Sequence, residues 1–91
     1  MSQEYLERRM KYVALLLQRF PERFGQALPA PCQQYLELLR QEAALRTHDM
    51  RPILINMRDC LREHKPANIY RQHELNMILE DIEKILSKME A

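Results

Sequence analysis

The clearest alternation of apolar and polar positions lies at residues 68–90. Seven apolar residues recur there at steps of three and four: Leu75, Ile78, Leu79, Ile82, Ile85, Leu86 and Met89. At about 100° per residue they fall within a sector of roughly 120°, as expected for a helix that buries one face. Asn68 stands just before the pattern and suits the N-cap of this helix. The pattern therefore predicts a long amphipathic helix at this end of the chain.

The first twenty residues predict a second amphipathic helix, from a cap at Ser2 to about Phe20. Its apolar stripe consists of Leu6, Met10, Val13, Leu17 and Phe20, widened on one shoulder by Tyr5, Tyr12 and Leu16. Pro21 cannot continue a helix interior without loss of a hydrogen bond, but it suits the first turn of a new helix. We therefore expect a single helical turn near residues 22–27, followed by an extended link.

Two further helices are predicted in the middle of the chain. One begins at about residue 31 and runs to about residue 46. The next is capped by Thr47 or Asp49 and ends near Lys65, because Pro66 biases the residue before it towards extended backbone. Its stripe is Met50, Ile53, Leu54, Met57 and Leu61. The fold class is thus all-α: a small antiparallel helical bundle of four main helices plus one short helical turn.

Composition agrees with one helical domain over residues 1–91. Hydrophobic residues make up 46% and charged residues 30%, and Gly25 is the one glycine, which argues against a turn-rich β fold. No apolar run approaches the ~18–20 residues of a membrane span, and no signal peptide is recognised. Cys32 and Cys60 are too few for a disulfide scaffold. We expect a cytoplasmic protein with free thiols and no membrane partner.

Charged residues are placed unevenly although the net charge is only +1. We call Arg51, Arg58, Arg62 and Lys65 the basic ridge, because they line one side of their predicted helix. Such a ridge could meet nucleic-acid phosphates. It could equally be a solvated face, or pair with the acidic last helix. Glu42 intrudes on its helix's apolar face, either at the rim or paired with Arg9 or Arg71.

A second surface lies on the predicted last helix, α5 (residues 68–90), roughly opposite its apolar stripe. Tyr70, His73 and Met77 stand there at i, i+3 and i+7, and we call them the α5 stripe. Aromatic and methionine side chains in such an array form an adaptable contact patch. Leu15 and Ile55 are further apolar residues outside their helices' core faces. We expect the α5 stripe to be covered either by another helix of the bundle or by a protein partner, which could be a second copy of the chain.

Catalytic chemistry has little support in the sequence. Cys60 and His64, four residues apart, supply half of a metal site, whereas zinc needs three or four protein ligands. His64 also continues an apolar stripe, where a hydrogen-bonded histidine at the core edge is the commoner explanation. A helix cap at Asp49 accounts for the pair His48–Asp49. An exposed His73 resembles a phosphate-accepting histidine, but Glu74 follows it instead of a small residue.

These observations predict no catalytic residue, metal or cofactor. The expected function is a non-catalytic protein-binding module: a small adaptor, regulator, inhibitor, chaperone or accessory subunit that presents a helical face to its partner. Homodimerisation through one of the exposed faces is an open alternative. The second hypothesis is a small nucleic-acid-associated regulator that uses the basic ridge.

Overall fold

The computed structural model of the chain describes residues 3–40 and 50–90. Within these residues it has no strand and five helices: α1 (Gln3–Gln18), α2 (Phe20–Phe24), α3 (Ala30–Leu39), α4 (Arg51–Glu63) and α5 (Ile69–Glu90). The predicted all-α fold of four main helices and one short one is therefore confirmed. Several predicted features lie outside the described residues: the caps at Ser2 and at Thr47 or Asp49, the pair His48–Asp49, and Glu42.

The four main helices enclose one core. α1 packs on α3 and α5, and α4 also packs on α3 and α5, so each main helix touches two others. α1 and α5 run antiparallel, because Arg9 meets Asp81 whereas Leu16, later in α1, lies near Ile78, earlier in α5. The buried side chains are Met10, Val13, Ala14, Leu17, Phe20, Cys32, Tyr35, Met50, Leu54, Met57, Leu61, Leu75, Ile78, Ile82, Ile85 and Leu86.

α5 follows the sequence prediction closely. The side-chain oxygen of Asn68 accepts a hydrogen bond from the backbone N–H of Arg71 at 3.0 Å, which is an N-cap interaction. Five of the seven predicted apolar residues are fully buried, and Leu79 and Met89 pack against them half-buried. The helix is therefore positioned by one apolar face and a satisfied N-terminus.

The junction after α1 differs from the prediction. α1 ends at Gln18, and Phe20 belongs to α2, which lies at Phe20–Phe24 instead of residues 22–27. Pro21 occupies the first turn of α2, where its missing N–H costs no hydrogen bond. Gly25, at φ 65°, ends the short helix, and its N–H donates to the carbonyl of Pro21 at 3.0 Å. The chain thus turns two residues earlier than the apolar pattern suggested.

α4 is shorter than predicted at its C-terminal end. It stops at Glu63 instead of near Lys65, because His64 already has an extended backbone, with φ −72° and ψ 132°. Met50 occupies the N-cap position without a side-chain hydrogen bond. Ile55 was expected to be exposed on this helix, but it is half-buried and packs against the core.

A buried hydrogen bond joins α3 to α1. The Tyr35 hydroxyl donates to the backbone carbonyl of Met10 at 2.7 Å, and burial raises the pKa of Tyr35 well above its usual range. Cys32, one turn earlier in α3, is also buried, and desolvation, with a smaller contribution from Cys60, raises its pKa to about 12. None of the helices within residues 3–40 and 50–90 is long and apolar enough to span a membrane.

Candidate functional site

The α5 stripe lies on the surface, as the sequence indicated. Tyr70 is 79% exposed and Met77 is 48% exposed, and His73 between them is also exposed. Ile69, the first residue of α5, adds a further exposed apolar side chain that the sequence pattern did not single out. The outer side of α5 is therefore unusually apolar at its N-terminal end.

An open cavity of about 380 Å³ lies beside this stripe, where α1, α2 and α5 meet. We call it the groove. Its apolar wall consists of Leu15, Leu16, Phe24, Met77 and Ile78. Leu15 is 61% exposed, so it presents its side chain to solvent at the mouth of the groove. Leu15 and Met77 both stood outside the core pattern of their helices, and the fold brings them to the same depression.

An aromatic cluster supports one end of the groove. Phe20 and Phe24, both in α2, stack with ring centroids 4.5 Å apart. The imidazole of His64 lies 5.4 Å from the Phe20 ring and 5.7 Å from the Phe24 ring. His64 thus sits at the core edge, and its buried Nε2 has no hydrogen-bond partner among residues 3–40 and 50–90. Stacking on Phe24 fixes the part of α2 that faces the groove.

The polar rim of the groove is organised around Glu74. Its Oε1 accepts hydrogen bonds from Arg23 at 3.0 Å and from Arg71 at 2.8 Å, while its buried Oε2 has no partner among the described residues. Arg71 was one of two expected partners of Glu42, and the other, Arg9, pairs with Asp81. Two arginines therefore neutralise the carboxylate in the groove, leaving an excess of positive charge around it.

The basic ridge is partly neutralised within the protein. Arg62 bonds Glu83 at 2.6 Å, and Arg58 approaches the same carboxylate oxygen at 3.4 Å and Asp59 at 3.2 Å. Arg51 and Lys65, at the two ends of the ridge, are exposed. The middle of the ridge therefore faces the acidic side of α5, which is the pairing that the sequence offered as one explanation.

The two cysteines and His64 form no metal site within the described part of the chain. Cys32 is buried and Cys60 half-buried, and both are free thiols. Among residues 3–40 and 50–90, no three His, Cys, Asp or Glu side chains converge as metal ligands would. Cys60 and His64 thus gain no third ligand within this part of the chain.

A third surface, on α1, was missed by the sequence analysis. The residues Arg8, Lys11, Tyr12 and Leu15 of α1 and Arg19, one residue beyond its end, are all exposed, and at 100° per residue they fall within about 100° of the helix circumference. We call this set the α1 outer face. Tyr12 was assigned to the shoulder of the buried stripe, but it is 43% exposed, with the guanidinium of Arg9 5.8 Å from its ring centre. The sequence did contain a signal for this face, because Leu15, which lies outside the core pattern, stands one turn after Lys11 and one turn before Arg19.

No protein-family model, curated protein or solved structure matches this chain.

Proposed function

We propose that this protein is a non-catalytic protein-binding module, acting as a small adaptor, regulator, inhibitor, chaperone or accessory subunit. One observation carries the proposal. Leu15 on α1 is 61% exposed and Met77 on α5 is 48% exposed, and both line the same open groove. Covering the exposed half or so of each side chain would remove apolar surface from water and contribute roughly 1 kcal/mol, since full burial of such a side chain contributes about 1.5–3 kcal/mol.

The shape and chemistry of the groove suit an amphipathic helix from a partner protein. Helix-in-groove recognition uses an apolar depression for anchor side chains at i, i+3, i+4 and i+7, with polar residues around it. Met77 is flexible and polarizable, so it adapts to different anchors. Tyr70 lies two turns before Met77, about 10 Å along α5, and extends the contact surface beyond the groove.

Nucleic-acid binding through the basic ridge is the weaker alternative. Phosphate recognition needs cations that are free to replace counterions. Arg58 and Arg62 share Glu83, so the centre of the ridge would have to break ion pairs before it met a phosphate. The groove needs no such rearrangement to accept an apolar side chain.

Site-specific photo-crosslinking tests the proposal. A photoreactive amino acid is placed at position 15 or 77, and at position 69 as a control, in cells that naturally make the protein. Ile69 is a matched control because it is 78% exposed and apolar but does not line the groove. We expect one protein adduct from positions 15 and 77 and little from position 69.

The partner identified by crosslinking is then purified, and the Kd of its complex with this protein is measured directly. Leu15→Asp and Met77→Asp should each weaken binding at least about tenfold, because the introduced carboxylate would be buried against the apolar side chains of the partner. Ile69→Asp should have little effect. An adduct between two copies of the chain would identify a homodimer instead. Equal effects of all three substitutions would contradict binding in the groove.

A further inference from the structure

The α1 outer face carries positive charge that no ion pair within residues 3–40 and 50–90 neutralises. Arg8, Lys11 and Arg19 are exposed, and none of them has an ion-pair partner within the described part of the chain. By contrast, the carboxylate in the groove, Glu74, is already held by two arginines. A partner at this face would meet cations on both sides of Leu15.

We propose that the partner segment is an acidic amphipathic helix that lies along α1. Its apolar side chains cover Leu15 and enter the groove, and its carboxylates face Lys11 and Arg19. This inference rests on the proposed function, because it names the chemistry of the partner that the groove accepts. Charge complementarity of this kind suppresses wrong partners and speeds association.

The spacing of the α1 outer face specifies the partner's pattern. Lys11 and Leu15 lie in α1 and Arg19 lies one residue beyond its end, at i, i+4 and i+8, so the helical rise places the two cations about 12 Å apart along the axis. A helix packed along α1 would match them with two acidic residues about eight positions apart and an apolar residue midway. Such packing places side chains of one helix between those of the other.

Depressions on both sides of Leu15 make room for that packing. The groove lies on the α5 side, and a second open cavity of about 390 Å³ lies on the α3 side, with Leu15 and Gln18 in the walls of both. Leu36 and Leu39 of α3 contribute the apolar part of the second cavity. Leu15 therefore separates two depressions, and the apolar side chains of a packed helix can occupy both of them.

A second copy of this chain fits the pattern less well. Three acidic residues of α5, Glu74, Asp81 and Glu83, are already engaged in ion pairs with arginines. Glu80 remains exposed on that helix, but two free carboxylates about eight positions apart are needed. Charge complementarity therefore favours a different, acidic protein over self-association.

Selection from a displayed peptide library tests the inference. The library consists of helical peptides of about 18 residues with a fixed leucine stripe, in which the flanking positions are varied among Glu, Gln and Lys. The baits are the wild-type protein, the variant Lys11→Glu/Arg19→Glu, and the variant Leu15→Asp/Met77→Asp. Circular dichroism verifies that each bait is folded. All four substituted side chains are exposed, so we expect the substitutions to leave the fold intact.

We expect wild-type protein to enrich Glu at two positions about eight apart, and the charge-reversed variant to enrich Lys there. The best Glu peptide should bind Lys11→Glu/Arg19→Glu about tenfold more weakly than wild type, and added salt should reduce its affinity. Lys84→Glu/Lys88→Glu is the matched control. It makes the same change in net charge at exposed lysines of α5, and it should leave the affinity nearly unchanged.

The alternative outcomes separate the two proposals. Enrichment of leucine-stripe peptides without a charge preference would overturn the acidic-helix inference and leave protein binding in the groove intact. No enrichment on wild type beyond that on Leu15→Asp/Met77→Asp would overturn both. Tight binding of a short single-stranded RNA, or of vesicles containing phosphatidylserine, that is lost in Lys11→Glu/Arg19→Glu would assign the α1 outer face to a polyanion or a membrane and overturn the inference.

Discussion

Arg9 donates a hydrogen bond from Nη2 to Oδ1 of Asp81 at 2.8 Å, joining α1 to α5 across 72 residues of sequence. The Asp81 side chain is only 13% exposed and that of Arg9 32%, so the pair is shielded from water more than a surface ion pair. Because α1 and α5 form two sides of the groove, this contact helps to set the distance between its walls.

Asp81→Asn should lower the free energy of unfolding by about 1–2 kcal/mol, because the guanidinium of Arg9 loses a charged acceptor in a partly buried place. Glu80→Gln is the matched control: Glu80 is the neighbouring residue, is exposed, and should change the stability by less than about 0.5 kcal/mol. Urea denaturation followed by circular dichroism measures both variants. Similar losses for the two substitutions would show that the Arg9–Asp81 contact contributes nothing specific.

The cap at Asn68 should account for much of the local stability at the start of α5. Asn68→Ala removes the acceptor for the backbone N–H of Arg71 and should cost about 1 kcal/mol. Asn76→Ala, inside the same helix, removes only an exposed side-chain bond with Gln72 and should cost little. Chemical denaturation again gives both values, and hydrogen exchange of the first turn should accelerate in Asn68→Ala alone. Equal protection in the two variants would contradict the capping role.

Truncation of Leu17 should lower the free energy of unfolding far more than truncation of Leu15, although the two residues are only two positions apart. Leu17 is fully buried, so Leu17→Ala leaves a cavity and should cost about 2–5 kcal/mol. Leu15 is 61% exposed, so Leu15→Ala should change the free energy of unfolding by less than about 0.5 kcal/mol. Thermal and urea unfolding of the isolated protein make the comparison. A large loss in Leu15→Ala would mean that Leu15 supports the fold and is unsuited to a free binding surface.

Helix periodicity predicted most of the core and the outer side of α5, although it misplaced Tyr12, which is exposed, and Ile55, which packs against the core. The buried stripe of α5 and the exposure of Tyr70 and Met77 follow from spacing within one helix. The meeting of Leu15 with Met77 could not be predicted in this way, because a periodic pattern does not say which helices become neighbours. The pairing of Glu83 with Arg58 and Arg62 could not be predicted for the same reason. The sequence indicated opposite charges on two helices, but it did not say whether they face solvent, a partner or each other.

Substitution at Glu83 should separate the two explanations of the basic ridge. Glu83→Gln removes the negative charge shared by Arg58 and Arg62, so non-specific affinity for duplex DNA should rise a few-fold at low salt. Wild type should bind weakly, and Arg58→Gln/Arg62→Gln should change its affinity little. Fluorescence anisotropy across a salt series measures all three proteins. Tight, steeply salt-dependent binding by wild type that disappears in Arg58→Gln/Arg62→Gln would favour the nucleic-acid hypothesis instead.

The buried thiol of Cys32 and the buried phenol of Tyr35 should make the stability of the fold fall at alkaline pH. Cys32 has its pKa raised from 9.0 to about 12, and the pKa of Tyr35 is raised from 10.0, in both cases chiefly by burial. Above about pH 9 the unfolded chain therefore binds fewer protons than the folded one, so the free energy of unfolding falls as pH rises; below that pH both contributions are fully present. Cys32 alone should account for a loss of about 1 kcal/mol by about pH 10. Urea titrations at a series of pH values should give a smaller decline for Cys32→Ala between about pH 9 and 10, with Cys60→Ala as the control that retains most of it. Parallel declines in wild type and Cys32→Ala would show that the thiol ionises equally easily in both states.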